Sequence, residues 1–169
     1  MKNLLTLFLV FICLNGQGLA SDQFFIGGEV GHVGVRDNQP ISNAIGYGVD
    51  IGVPANSYLD LMFRVHYSFH DGVTGLGTKL VQASVAAVGN LVDYGDFRVS
   101  VEGGPGFYFF DTGVGKEEKF GVHAGLNGDV ILQDRFLLGL SGRLHWILDQ
   151  NLVAFNQVAV MMRAGFLLE

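Results

Sequence analysis

Four of the chain's five histidines, one serine and ten charged residues are the groups that could do chemistry here. His66-Tyr67-Ser68 has the His-x-Ser spacing of a base beside a hydroxyl nucleophile. A hydrolytic triad is defined by geometry and roles, however, and no acidic third member stands at a matching interval. His66, His70, His123 and His145 are imidazoles of the kind that bind zinc or copper; the simpler expectation is that they are polar spacers, so neither a metal site nor a catalytic residue is assigned. The charged set is Glu29, Asp50, Asp60, Glu102 and Asp129 against Arg64, Arg98, Lys119, Arg143 and Arg163. Gly115-Lys116 is followed by Glu117 instead of Ser or Thr, so the phosphate-loop pattern fails and no cofactor is expected.

All of these groups sit inside strongly hydrophobic sequence, and their spacing says what must hold them. In YLDLMFRVHYSFH, residues 58 to 70, the odd positions are Leu59, Leu61, Phe63, Val65, Tyr67 and Phe69, whereas the even ones include Asp60, Arg64, His66, Ser68 and His70. A period of two is a β-strand between two different environments. The same alternation predicts strands near 23–35, 45–53, 58–70, 78–90, 97–110, 119–131, 136–147 and 156–168. Short connections at 54–57, 91–96 and 132–135 alternate with longer ones at 36–44, 71–77, 111–118 and 148–155.

Residues 1–20 are expected to be a cleaved signal peptide. Lys2 gives a positive start, Leu4 to Leu14 an apolar stretch, and Gly18-Leu19-Ala20 a small-x-small cleavage site. Residues 21–169 are then a single domain. The one cysteine, Cys13, lies in the leader, leaving the mature chain without disulfide chemistry. Sixteen acids against ten bases give a net charge of −6, which removal of Lys2 makes more negative, so nucleic acid is an unsuitable partner. Mean hydropathy is nevertheless +0.36. Beyond the leader no apolar run is long enough for a helical span. The remaining choices are a soluble all-β carrier of the lipocalin kind and a barrel whose apolar face meets lipid.

Glycine decides between them. The charged face also carries Gly48, Gly121, Gly125 and Gly139 among many others. Glycine weakens an exposed strand but makes room in a crowded lumen, and an eight-stranded barrel has an interior just wide enough for side chains to fill. The charges therefore point inward. Aromatics on the other face sort into two girdles, Phe24, Phe97, Phe136 and Phe166 at one end and Tyr47, Tyr67, Phe107, Phe109 and Trp146 at the other.

The stretches FFIGGEVGHVGV (24–35), VEGGPGFYFF (101–110) and FGVHAGLNGDVILQDRFLLGLSGRLHW (120–146) resemble the eight-stranded OmpA-like outer-membrane β-barrel family. The resemblance runs from Phe24 to Leu168 and implies a monomeric, all-β, up-and-down transmembrane barrel without a peptidoglycan-binding domain. It also implies lipid and lipopolysaccharide as surroundings, and the barrel-assembly machinery as partner during insertion. Family members commonly end on an aromatic residue, whereas this chain ends Phe166-Leu167-Leu168-Glu169. The role implied is structural or surface-interacting and non-enzymatic. Inside, the charges are expected to pair: Glu29 with Arg163 across the closing strands, and Arg64, Glu102 and Arg143 across the middle. Such a plug leaves at most a small gated conductance, since an aqueous pore takes roughly 16 strands.

Overall fold

The structure is a computed structural model that describes residues 23–36, 42–56, 59–71, 77–148 and 155–168. The expected leader, Glu169 and most of the connections at 36–44, 71–77 and 148–155 lie outside these residues.

Eight strands follow one another: β1 (Phe24–Arg36), β2 (Ala44–Asn56), β3 (Leu59–His70), β4 (Thr78–Asp93), β5 (Phe97–Asp111), β6 (Lys116–Leu132), β7 (Phe136–Leu148) and β8 (Phe155–Leu168). Each pairs antiparallel with its neighbour, and β8 returns to β1, closing the barrel. Closure satisfies every strand edge, which an apolar surround requires because no water is there to bond a free amide. The end formed by the β2–β3, β4–β5 and β6–β7 connections is the turn end below; the opposite one is the loop end.

The strands form where alternation is cleanest and stop where backbone geometry demands it. At the β6–β7 turn, Arg135 N–H donates to the Leu132 carbonyl at 3.2 Å, while Gln133 and Asp134 have φ of 53° and 57°. Two central residues in the left-handed region make the primed turn that suits twisted strands, although Asn-Gly would adopt it at lower cost. Gly95 supplies a φ of 67° in the β4–β5 turn. In β5, Pro105 has no N–H to give, and the β4–β5 register skips it between Ser84↔Gly106 and Ala87↔Gly103.

Three expected boundaries were too cautious, the first of them at β2, which runs through Asn56 instead of ending at 53. The 111–118 connection shrinks to residues 112–115, because Lys116, Glu117 and Glu118 continue the β6 ladder opposite Asp111, Phe110 and Phe109. The 91–96 connection likewise shrinks to 94–96, as β4 runs on to Asp93. A charged strand end above an apolar belt reads like a loop, yet its backbone pairing does not depend on side-chain polarity.

Parity sorts the faces as expected. Phe24, Ile26, Val49, Ile51, Phe63, Val65, Leu126, Leu138, Leu140, Val160 and Met162 are exposed on the outside. A water-soluble core does not look like this; a lipid-facing one does. The girdle residues are also outward, and several meet across neighbouring strands: Tyr47 and Tyr67 at 5.3 Å between ring centroids, Phe107 and Phe120 at 5.5 Å, Phe136 and Phe166 at 5.5 Å. Phe24, Phe97 and Phe166 ring the turn end, with Phe109 and Trp146 toward the loop end.

Candidate functional site: the filled lumen

The ion cluster of the lumen is built from inward positions near the middle of six strands, β1, β2, β3, β5, β6 and β7. Asp50 on β2 and Arg64 on β3 are register partners, as are Glu29 on β1 and Gly48 on β2. Glu102, Arg143 and His66 enter from β5, β7 and β3. All are buried, Asp50 at 0 % and Arg143 at 1 % relative exposure. Glycines give them space. A Cβ on Gly125 would stand 2.9 Å from Cγ of Arg143 and 3.3 Å from Cγ of Glu102, and the imidazole of His66 occupies the place where a side chain on Gly48 would go.

In the centre, Arg64 donates from both terminal nitrogens to Glu102, at 2.9 and 3.1 Å, and from Nε to Asp50 at 3.1 Å. Arg143 reaches across from the other side. It donates from Nε to Glu102 at 2.7 Å and grips both oxygens of Glu29, one of them at 2.6 Å. Asn127 adds a 2.9 Å bond to Glu102 and another to Ser100 at 3.2 Å. Forked guanidinium–carboxylate pairs are the strongest hydrogen bonds available to side chains, and here they link strands far apart in sequence.

Three carboxylates face two guanidiniums, so the cluster is one positive charge short. His66 stands where that charge belongs, its Nε2 against Glu29 Oε1 and 3.7 Å from Asp50 Oδ1. Glu29, Asp50 and His66 could each offer a metal-ligand atom within 4.8 Å of the others. Both carboxylates are already engaged by Arg143 and Arg64, so a metal ion would have to compete with guanidiniums.

The expected network therefore divides. Glu29 does not take Arg163. The two are register partners, but Arg163 turns toward the turn end, 3.7 Å from Asp129 and stacked over Phe25 at 5.0 Å, because Arg143 already occupies Glu29. Arg98 pairs with Asp93 at 3.2 Å, a residue first read as part of a connection. Lys119 pairs with Glu117 at 3.1 Å near the loop-end rim. Asp60 lines a pocket of about 40 Å³ with Arg98, Asp129 and Arg163 on one side and Phe25, Met62 and Leu137 on the other. A pocket of that size holds two or three waters.

Above the cluster lies a layer of imidazoles. His123 and His145, register partners on β6 and β7, stack at 5.6 Å, and His145 Nδ1 meets the Tyr108 hydroxyl at 2.9 Å. Ser68 bonds His70 at 2.8 Å, not His66, and His70 Nδ1 donates to the Ser42 carbonyl at 2.8 Å. That donation leaves His70 Nε2 to accept the serine proton, with a backbone carbonyl where a hydrolase would have a carboxylate.

Sequence reasoning missed the apolar part of the filling. Phe25, Met62, Ala86, Val88, Ile131, Leu137 and Leu167 pack inside the turn end, and Leu80, Tyr108, Phe110 and Ile147 inside the loop end. Their parity was available all along, since Phe25 matches Glu29 and Ile147 matches Arg143.

Known structures were compared with this arrangement. No family model matches the chain, and no curated protein matches it. Solved structures do. The N-terminal β-barrel domain of Pseudomonas aeruginosa OprF aligns over 89 % of this chain and 99 % of its own, at 16 % identity and a TM-score of 0.60. The fold is that of the eight-stranded outer-membrane barrels. OprG from the same organism aligns over 90 % of this chain and 97 % of its own, at 10 % identity and a TM-score of 0.58. Neisserial surface protein A aligns over 86 % and 96 %, at 14 % identity and 0.57. At these identities an outer-membrane barrel is a shape shared, and the side chains filling this one belong to this chain.

Proposed function

We propose that this protein is a small barrel of a Gram-negative outer membrane, exported by a cleaved leader, with a structural or surface-interaction role and a lumen that is largely closed. The observation that carries the reading is the inversion of the two faces: exposed Val, Leu, Ile and Phe outside, buried arginines and carboxylates within. It supports a bilayer as the solvent and lipid as the immediate partner. The residual spaces support closure. Among the described residues, beside the 40 Å³ pocket at the turn end, a second space next to His66 and Gln82 measures about 10 Å³. A non-enzymatic role is the reading we favour, because the buried Ser68–His70 pair spends its second imidazole nitrogen on the Ser42 carbonyl.

Two experiments test this. Cell fractionation, combined with gel migration before and after heating, should place the protein in the outer membrane with a heat-shifted band; a soluble periplasmic fraction and an unshifted band contradict it. Planar-bilayer recording of the wild type should show no steady conductance. A stable open level in the wild type overturns the closed lumen, and a level that appears only in Glu29→Ala shows that the ion cluster is what closes it.

A further inference from the structure

Three of the four inward imidazoles are engaged. His70 and His145 are hydrogen-bonded and His66 stands against Glu29, whereas neither nitrogen of His123 meets a hydrogen-bond partner among the described residues. A buried polar group left unpaired costs about 1–3 kcal/mol, which the role of a polar spacer does not explain. His123 also begins a row of three inward side chains: it faces His145 on β7, which faces Gln157 on β8. Gln157 repeats the anomaly, its Oε1 being buried without a partner. The three residues are 3 %, 1 % and 3 % exposed.

This row has the make-up of a metal site. His145 is anchored from one side, its Nδ1 lying 2.9 Å from the Tyr108 hydroxyl and 3.3 Å from the Gln82 amide, which leaves Nε2 to a ligand. Ligating histidines are held in this way, by a partner on the nitrogen that the metal does not use. The ring centres of His123 and His145 are 5.6 Å apart. Two imidazoles on one tetrahedral ion, each bound at about 2 Å, have centres about 5 Å apart, so the rings need only turn in place. Beside the row a space of about 10 Å³, the size of one water, is lined by Gln157, Gln82 and His66. Below lies the ion cluster, whose three carboxylates face two guanidiniums and make an attractive floor for a cation. Glu29 and Asp50 are themselves held by Arg143 and Arg64, so the imidazole row offers the freer ligands.

We propose that His123 and His145, with Gln157 Oε1 as a third ligand, bind one divalent transition-metal ion of the kind imidazole prefers, copper or zinc. Because the ligands face the lumen, the outcome is independent of the envelope role proposed above. Untagged protein refolded in detergent with Cu²⁺ and then dialysed should keep a single ion per barrel. Its EPR spectrum should show coupling to the nitrogens of two imidazoles. His123→Leu removes no hydrogen bond, so it should fold, as strand-type circular dichroism checks, and should lose the copper. Tyr108→Phe releases the His145 ring and should weaken binding roughly tenfold. His32→Gln, which alters an exposed histidine on the outer face, should bind as the wild type does. Zn²⁺ should raise the thermal midpoint of the wild type and leave that of His123→Leu where it was.

A wild type that keeps no copper, or whose spectrum lacks imidazole nitrogen, overturns the proposal whatever the variants do. A His123→Leu variant that keeps its copper with an unchanged spectrum overturns it too. So does loss of the copper in His32→Gln, which would reduce the binding to ions on the outer face.

Discussion

The middle of the lumen and its two ends fill the same narrow tube with opposite chemistry. At the centre Arg64, Arg143, Glu29, Asp50, Glu102 and His66 hold one another through charge-assisted bonds between distant strands. At the turn end Phe25, Met62, Ile131 and Leu137 pack as an apolar layer beside Asp60, Arg98, Asp129 and Arg163, as do Leu80, Tyr108 and Ile147 beside the imidazoles of the loop end. An apolar layer depends on volume, so it tolerates exchange of one aliphatic group for another. The charged layer depends on partner count, since each member removed leaves another buried and unpaired.

The largest effect should follow from breaking the charged layer. Arg143→Met keeps most of the volume but strips Glu29 and Glu102 of a shared donor, and should cost about 3–5 kcal/mol in urea unfolding of the vesicle-folded protein. Arg143→Lys should also be poorly tolerated, because an ammonium cannot fork to two carboxylates. At the turn end the pattern reverses. Leu137→Ala should cost about 2–3 kcal/mol by cavity formation, while Leu137→Met should stay below about 1.5 kcal/mol. If Arg143→Met and Leu137→Met were equally mild, the distinction between the layers would fail.

Gly125→Ala probes the spacing that lets the cluster assemble. Its Cβ would press on the Gly142 carbonyl oxygen at 2.8 Å as well as on the stems of Arg143 and Glu102, and a loss of about 1–3 kcal/mol should appear as a lower unfolding midpoint. Outside both layers the smallest effect should be a gain. Asp134→Gly relieves a left-handed residue in the β6–β7 turn and should add about 0.5–1 kcal/mol by the same measurement.

Most of the fold was legible in the sequence because a strand between unlike solvents writes its two faces into alternate letters. From Leu59 to His70 each letter but Met62 names its face, and the number of strands and the direction of their charges follow. The interior was legible only as a set. Parity puts Glu29, Arg143 and Arg163 on one side of the wall, but which arginine reaches Glu29 depends on side-chain length and tilt across the tube, and neither is periodic in sequence. The apolar ends escaped notice because Phe25 and Leu137 adjoin outward apolar residues, so alternation of polarity fades there although alternation of direction does not. The rim charges were hidden for the opposite reason: Lys116, Glu117 and Glu118 look like a loop until the ladder pairs them with β5.

The inside-out arrangement can be read from one side chain. Trp146 is the single tryptophan of the chain and faces outward on β7. Folded into vesicles whose acyl chains carry bromine, it should be strongly quenched by the lipid and shielded from iodide in the water. A tryptophan that iodide reaches freely and brominated chains leave bright would mean that this face looks onto water.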